Sequence, residues 1–159
     1  KRSADIPYTR PGGGDDDVTG DDTAASPGAT QNTDATPVGN PTLENPCGLI
    51  TAEEVSTVLG ETYSLAQDDN PCIFAADSGS ALSIESASYG DAAQQAFDLA
   101  LDTFQGEELD GPGDRTMWLK GFRELHLLVD GYVIILKLPP PATETQQAQA
   151  LTLAATMFD

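Results

Sequence analysis

Two apolar runs that flank an Asp-Gly pair constrain the fold of this chain more than any other stretch. Residues 124–137 have the sequence ELHLLVDGYVIILK. Asp130-Gly131 between two apolar runs is the preferred sequence of a two-residue type I′ β-hairpin turn. With that turn, Glu124 faces Lys137 across the two strands, and their opposite charges support the register. The sequence therefore predicts an antiparallel hairpin here.

The two faces of this hairpin are predicted to have different surroundings. One face is wholly apolar and should lie in the core, and it carries Leu125, Leu127, Val129, Tyr132, Ile134 and Leu136. The other face is polar at its outer end, where Glu124 and His126 lie, and apolar beside the turn, at Leu128 and Val133. We expect Leu128 and Val133 to be exposed and to contact a protein partner.

Three helices are predicted around the hairpin. Residues 51–54 are TAEE, the pattern of a helix capping box, and Gly60 is placed to end that helix. A second helix, with apolar residues at helical spacing, should begin at Asp91 and end at Gly106. A third helix should span residues 143–158.

Further strands are predicted at residues 72–76, 82–89 and 117–119, and the turn sequence DSGS joins the first two. Consecutive strands joined by tight turns form an antiparallel sheet, and helices can cover one face of it. The sequence therefore predicts an α+β fold, with an antiparallel sheet of four to five strands packed against about three helices as a two-layer sandwich.

Residues 1–46 and 47–159 differ in composition. The first segment is rich in Thr, Ala, Asp, Gly and Pro, and Tyr8 is its only aromatic residue. Such a segment cannot bury enough apolar surface to fold alone. We predict a disordered or extended spacer tail over residues 1–46 and one globular domain over residues 47–159. The tail is typical of a spacer between a membrane or lipid anchor and a domain; a terminus without a role is the alternative.

The two cysteines, Cys47 and Cys72, each follow an Asn-Pro pair. An even pair that flanks a helix, in a chain with a spacer-like leader, favours a disulfide and hence an extracytoplasmic location. Two buried free thiols are the alternative. A structural zinc site is disfavoured because His126 is the only histidine and a closed site has four ligands.

The acidic excess restricts the partners that this chain can bind. The net charge is −19, and residues 47–159 alone hold 18 acidic and four basic side chains. Nucleic acids and anionic lipid surfaces need a basic protein surface. We therefore expect protein partners, no nucleic acid, and membrane attachment only through an anchor that lies outside this sequence.

Other candidate chemical sites are weak. Residues 15–21 are DDDVTGD and match a calcium loop only in part, because Ser26 stands where the loop needs Glu. His126 lies among leucines without a nucleophile motif, so we predict a half-exposed strand histidine with satisfied hydrogen bonds. Residues 107–110 should form an exposed acidic loop, with a cation or a basic partner as the alternative. We predict no catalytic residue, no metal and no cofactor.

The opening of the domain resembles a domain of unknown function in secreted lipoproteins of actinobacteria and of related Gram-positive or chloroflexus-type bacteria. Residues 47–60, CGLITAEEVSTVLG, and the second cysteine at Cys72 match its opening, and residues 111–114 and Trp118 are similar to its middle. The extracellular sensor domain of a mycobacterial serine/threonine kinase opens similarly. The resemblance covers residues 47–159 and implies a cell-envelope location, but it supplies no functional residue. Unlike those lipoproteins, this sequence has no lipid-attachment cysteine at its start.

Two function classes follow from these observations. The first is a non-enzymatic, extracytoplasmic accessory or scaffold subunit of a cell-envelope assembly, whose extended tail clamps its partners. Its candidate partner contacts are Ile6, Tyr8, Trp118, Leu128 and Val133. For Trp118, the only tryptophan, a place in the core is the first expectation and a binding surface is the alternative. The second is an extracytoplasmic small-ligand-binding or sensor domain, which a large apolar pocket lined by Trp118 would favour.

Overall fold

The computed structural model describes residues 43–159, which are organised around one antiparallel sheet of seven strands. The strands are β1 (Tyr63–Gln67), β2 (Cys72–Ala76), β3 (Ala81–Ser88), β4 (Glu107–Leu109), β5 (Arg115–Leu119), β6 (Glu124–Val129) and β7 (Tyr132–Lys137), in the order β1-β2-β3-β7-β6-β5-β4 across the sheet. The α-helices are α1 (Ala52–Leu59), α2 (Ala93–Phe104) and α3 (Gln146–Phe158), and short 3-10 helices span Pro46–Leu49 and Gly90–Ala92. The α+β class and the antiparallel sheet are confirmed.

The predicted hairpin register is confirmed along its whole length. Strands β6 and β7 pair from Val129 opposite Tyr132 at the turn to Glu124 opposite Lys137 at the far end. Asp130 and Gly131 have φ angles of 48° and 81°, the two positive values that a type I′ turn requires. The predicted core face is buried at its four outer positions and half-buried beside the turn.

The helices cover both faces of the sheet, so the predicted two-layer sandwich is wrong. On one face, α1 and α3 pack against the main core, which includes Phe74, Ile84 and Leu127. On the other face, α2 packs against a second cluster of buried side chains from β5, β6 and β7. The sheet is apolar on both sides at its centre, and the second apolar side is removed from water only if a helix covers it.

The strand count of four to five is too low because two edge strands were not predicted. Strand β1 pairs only with β2, and most of its side chains are exposed. Strand β4 has three residues, and two of them are glutamates. Edge strands of this kind bury few side chains, so their sequences lack the apolar alternation by which a strand is recognised.

The helix ends follow the sequence signals in part. The capping box of α1 is present, with the backbone N–H of Thr51 donating to Glu54 at 2.8 Å and the backbone N–H of Glu54 donating to the Thr51 hydroxyl at 3.3 Å. Asp91 does not cap α2, because a 3-10 turn precedes this helix and places Ala92 at the N-cap. The helix ends at Phe104, before Gly106, and α3 begins three residues later than predicted.

The described part of the chain contains no helix that is both long and apolar enough to cross a bilayer.

Candidate functional site

Three of the expected partner contacts lie inside the protein, so their assignment to a partner surface is wrong. Leu128 and Val133 are buried under α2, in the cluster that includes Phe97 and Met117. Trp118 is buried in the main core, which was the first expectation for this residue. Their apolar side chains pack against the protein's own helices, which the hairpin sequence alone did not indicate. Ile6 and Tyr8 lie outside the described residues, as does the partial calcium loop.

Cys47 and Cys72 form the predicted disulfide. The bond joins the first 3-10 helix to β2, at the point where the chain enters the domain. A disulfide fits an oxidising, extracytoplasmic location.

A cavity of about 240 Å³ lies on the sheet face that α2 covers in part. Its wall is almost wholly apolar and is formed by Phe104, Leu119, Phe122, Glu124 and His126. Phe104 and Phe122 are 48% and 46% exposed, and their rings meet edge to face with their centroids 5.2 Å apart. Two large apolar side chains that remain half-exposed side by side are typical of a binding surface.

Four segments form the cavity, and one of them is β6, which carries Glu124 and His126. Phe104 is the last residue of α2, Leu119 ends β5, and Phe122 lies in the four-residue turn before β6. Gly106 allows this approach, because a Cβ atom at that position would lie 2.8 Å from the Leu119 side chain. The helix thus crosses the sheet closely enough for its last ring to reach the turn.

Glu124 and His126 form the polar part of the cavity wall. His126 Nε2 lies 3.1 Å from Glu124 Oε2, and Lys137 Nζ lies 2.9 Å from Glu124 Oε1. Burial lowers the pKa of His126, and the nearby Glu124 and Glu85 carboxylates offset only part of that effect. Burial also tends to raise the pKa of Glu124, but the bonds from Lys137 and His126 outweigh it, so this pKa is lowered. The cavity wall therefore holds a carboxylate whose charge is already compensated.

His126 is buried, which corrects the expected half-exposed histidine. Its neutral ring donates through Nε2 to Glu124, since an ionised carboxylate can only accept. This bond confirms the expectation that the hydrogen-bonding capacity of His126 is satisfied. His126 is buried because it lies opposite Ile135 in the middle of the sheet.

Basic side chains are few in the described residues, and they are unequally engaged. Arg115 bonds Asp98 at 2.5 Å and Glu108 at 2.6 Å, and its guanidinium carbon lies 4.8 Å from the centre of the Phe97 ring. Lys137 is paired with Glu124. Over residues 43–159, the two basic residues that form no ion pair within 4.0 Å are Lys120 and Arg123, which flank Phe122.

The acidic stretch at residues 107–110 is a strand and the turn after it, not the loop predicted. Glu108 bonds Arg115, and this side-chain bond lowers the pKa of Glu108. Within residues 43–159, no group of three or more His, Cys, Asp or Glu side chains is arranged to hold a metal ion. Because Arg115 bonds both Glu108 and Asp98 on α2, this stretch helps to hold α2 against the sheet.

A second hollow, of about 370 Å³, lies beside α1 and α3 and is lined by Thr51, Glu53, Glu54, Thr57, Val58 and Thr156. Bonds from the backbone and hydroxyl of Thr51 lower the pKa of Glu54, and these are bonds of the helix cap. The Thr51 and Glu54 side chains in this wall thus serve the helix end. Trp118 lines neither hollow.

The sequence reasoning missed Phe104 and Phe122 as surface residues. Phe104 continues the apolar residues at helical spacing in the second helix, so the sequence predicts it to be buried, although it stands at the end of the helix. Phe122 carried the clearer signal, because it is an aromatic residue in the polar turn sequence KGFR. An aromatic residue between two cations in a short turn has little chance of joining a core.

Comparisons of this chain with protein-family models, with curated proteins and with solved structures found no match.

Proposed function

We propose that this protein is a non-enzymatic, extracytoplasmic accessory or scaffold subunit of a cell-envelope assembly. Residues 1–46 engage partner proteins, and the folded domain anchors that segment. The resemblance to secreted lipoprotein domains supports the location, as does the disulfide.

The observation that carries this proposal is the way the domain holds the start of its folded chain. The disulfide fixes Cys47 to β2. Just before it, the Leu43 carbonyl accepts a hydrogen bond from the Ser86 hydroxyl, and the Glu44 carboxylate accepts one from the Tyr132 hydroxyl at 3.3 Å. Residues 43–47 are thereby attached to β2, β3 and β7.

Such a junction suits a segment that bears load or binds a partner. Because the Cys47–Cys72 disulfide is covalent, a force applied to residues 1–42 cannot separate the first 3-10 helix from β2 while this bond remains intact. Proline-rich segments also lose little conformational entropy when they bind, since their φ angles are already restricted. Residues 1–46 hold six of the 11 prolines of the chain.

A pull-down from the envelope of the source cells tests this proposal. The protein with residues 1–159 is compared with a form that lacks residues 1–42, which keeps the whole junction. We expect the truncated form to lose the partners and to keep its melting temperature. Ile6→Ser/Tyr8→Ser in the protein with residues 1–159 should lose the same partners, while Val18→Ser should retain them. Equal recovery by all forms would remove the tail from the function.

The alternative function is an extracytoplasmic small-ligand-binding or sensor domain. The observation that favours it is the cavity between Phe104 and Phe122, which lies in the folded domain and does not involve residues 1–42.

A further inference from the structure

We propose that the cavity at Phe104 and Phe122 binds an uncharged ligand with a ring-sized apolar body and one hydroxyl group, such as a phenol. The apolar body contacts the two phenylalanine rings, and the hydroxyl donates a hydrogen bond to Nδ1 of His126. The site lies in the folded domain and does not depend on the tail function proposed above.

The apolar body follows from the cavity wall. The cavity of about 240 Å³ has room for one ring-sized group, and Glu124 and His126 form the polar part of its wall. Phe104 and Phe122 already meet edge to face at 72°, and the ring of a ligand can add to them in the same way. An apolar body would remove the exposed parts of both side chains from water, which is favourable in proportion to the area covered.

The ligand is uncharged because the wall offers no unbalanced charge. Glu124 Oε1 lies 2.9 Å from Lys137 Nζ, so the negative charge of this carboxylate is already compensated. His126 is neutral near pH 7, since burial lowers its pKa. A charged ligand would therefore lose part of its hydration in the cavity without gaining an unpaired partner of opposite charge.

The hydroxyl follows from the second ring nitrogen of His126. Nε2 of the neutral ring donates to Glu124, which makes Nδ1 the acceptor of the ring. Among residues 43–159, Nδ1 has no hydrogen-bond partner, whereas every fully enclosed side-chain nitrogen or oxygen has one, so Nδ1 is not fully enclosed. His126 is only 6% exposed and lines the cavity, so the cavity is the route by which a donor reaches Nδ1.

The other polar group of the wall is also an acceptor. The ionised carboxylate of Glu124 has no hydrogen to donate. A ligand that carries only an acceptor, such as an ether, would lose hydration of its oxygen and gain no hydrogen bond in return. The wall thus discriminates in favour of a ligand that carries a donor.

Three ring-sized probes that differ in their polar group test the proposal. Phenol, anisole and benzylamine are titrated at pH 7.5 into ¹⁵N-labelled protein with residues 1–159, in about 0.15 M salt to screen the net charge of the chain. The amide signals of Gly121 and Phe122 report binding. We expect saturable binding, with phenol about threefold or more tighter than anisole, as one neutral hydrogen bond allows, and tighter than benzylamine. No saturable binding of phenol, or equal or tighter binding of either other probe, would overturn the proposal.

The ring nitrogens of His126 report directly on the proposed bond, because this residue is the only histidine of the chain. In a long-range ¹H–¹⁵N spectrum, Nδ1 should be the unprotonated nitrogen. Phenol should shift the Nδ1 signal in the direction of a hydrogen-bonded nitrogen, whereas anisole should leave it in place. A protonated Nδ1, or an Nδ1 signal that does not respond to saturating phenol, would contradict the assigned acceptor.

Variants separate the two parts of the site. His126→Leu should remove the preference for phenol over anisole, and Phe122→Ser, at a half-exposed position in a turn, should abolish binding of both. Leu99→Ser is the matched control and should bind as the wild type does, because Leu99 is 67% exposed on α2 and does not line the cavity. Unchanged binding by Phe122→Ser, or an unchanged preference for phenol in folded His126→Leu, would show that the ligand does not occupy the proposed site.

Discussion

His126 and Glu124 form a hydrogen-bonded pair on one strand, with Nε2 and Oε2 separated by 3.1 Å and both side chains largely buried. They lie two residues apart on β6 and so project from the same face of the sheet. Lys137 approaches Glu124 from β7, and Glu85 on β3 lies opposite Ile135, next to this group. The pair gives the stability of the domain a definite dependence on pH.

We expect the free energy of unfolding to fall as the pH drops below about 6.5. The folded state holds the pKa of His126 below its ordinary value of 6.5, so the unfolded chain binds this proton first. The contribution of neutral His126 to the free energy of unfolding is therefore complete above pH 6.5 and is lost as the pH falls toward the pKa of His126 in the folded state. Urea denaturation at pH 7.5 and pH 5.5 measures the difference.

The matched variant for this effect is His126→Gln, whose amide can still donate to Glu124. It should lose less stability between pH 7.5 and 5.5 than the wild type does. Glu124 contributes only at lower pH, since its pKa is held below the ordinary 4.5. An identical loss in both proteins would show that His126 does not titrate on unfolding in this range.

Removal of the disulfide should destabilise the domain without changing its fold. With a sequence separation of 25 between Cys47 and Cys72, the loop-closure relation gives about 3–4 kcal/mol for the double variant Cys47→Ala/Cys72→Ala. Urea denaturation measures the loss. Wild type reduced with dithiothreitol is the control, because it loses the bond and keeps both side chains. Unaltered stability of the reduced wild type would mean that the bond does not restrain the unfolded chain.

Leu128→Ala tests whether this residue belongs to the core under α2. The substitution leaves a void beside Phe97 and Met117, and we expect a loss of about 2–5 kcal/mol, as is typical for a buried leucine. Leu99→Ala on the exposed side of α2 should change the stability by no more than about 0.5 kcal/mol. Similar small effects at both positions would place Leu128 at the surface, as the sequence alone suggested.

Gly113→Ala and Gly79→Ala form a pair that isolates a close backbone approach. Both glycines have positive φ angles, of 86° and 90°, so each alanine bears a backbone strain of about 1 kcal/mol. At Gly113 the new Cβ would lie 2.8 Å from the Leu128 carbonyl oxygen, whereas at Gly79 no atom lies within 4 Å. We expect Gly113→Ala to lose about 1–3 kcal/mol more in thermal or urea unfolding. Equal losses would mean that the loop before β5 moves away from β6.

The sequence determined the features that depend on residues close together in the chain. The Asp130-Gly131 turn fixes the register of β6 and β7, because its two positive φ angles suit few other residues and a slip by one would turn Leu127 and Ile134 away from the core. The capping box at Thr51 is local in the same sense. The pairing of Cys47 with Cys72 could be predicted because the chain offers no other cysteine.

Only the tertiary structure decided which apolar residues are covered and which remain exposed. Leu128 and Val133 are apolar residues on the outer face of a hairpin in the sequence, and they become core because α2 crosses that face. Phe104 belongs to the same helical stripe as Phe97, yet it passes beyond the covered part and meets Phe122, 18 positions further along the chain. Burial is set by where a helix lies across a sheet, and that position depends on packing between distant segments, which no local pattern of residues encodes.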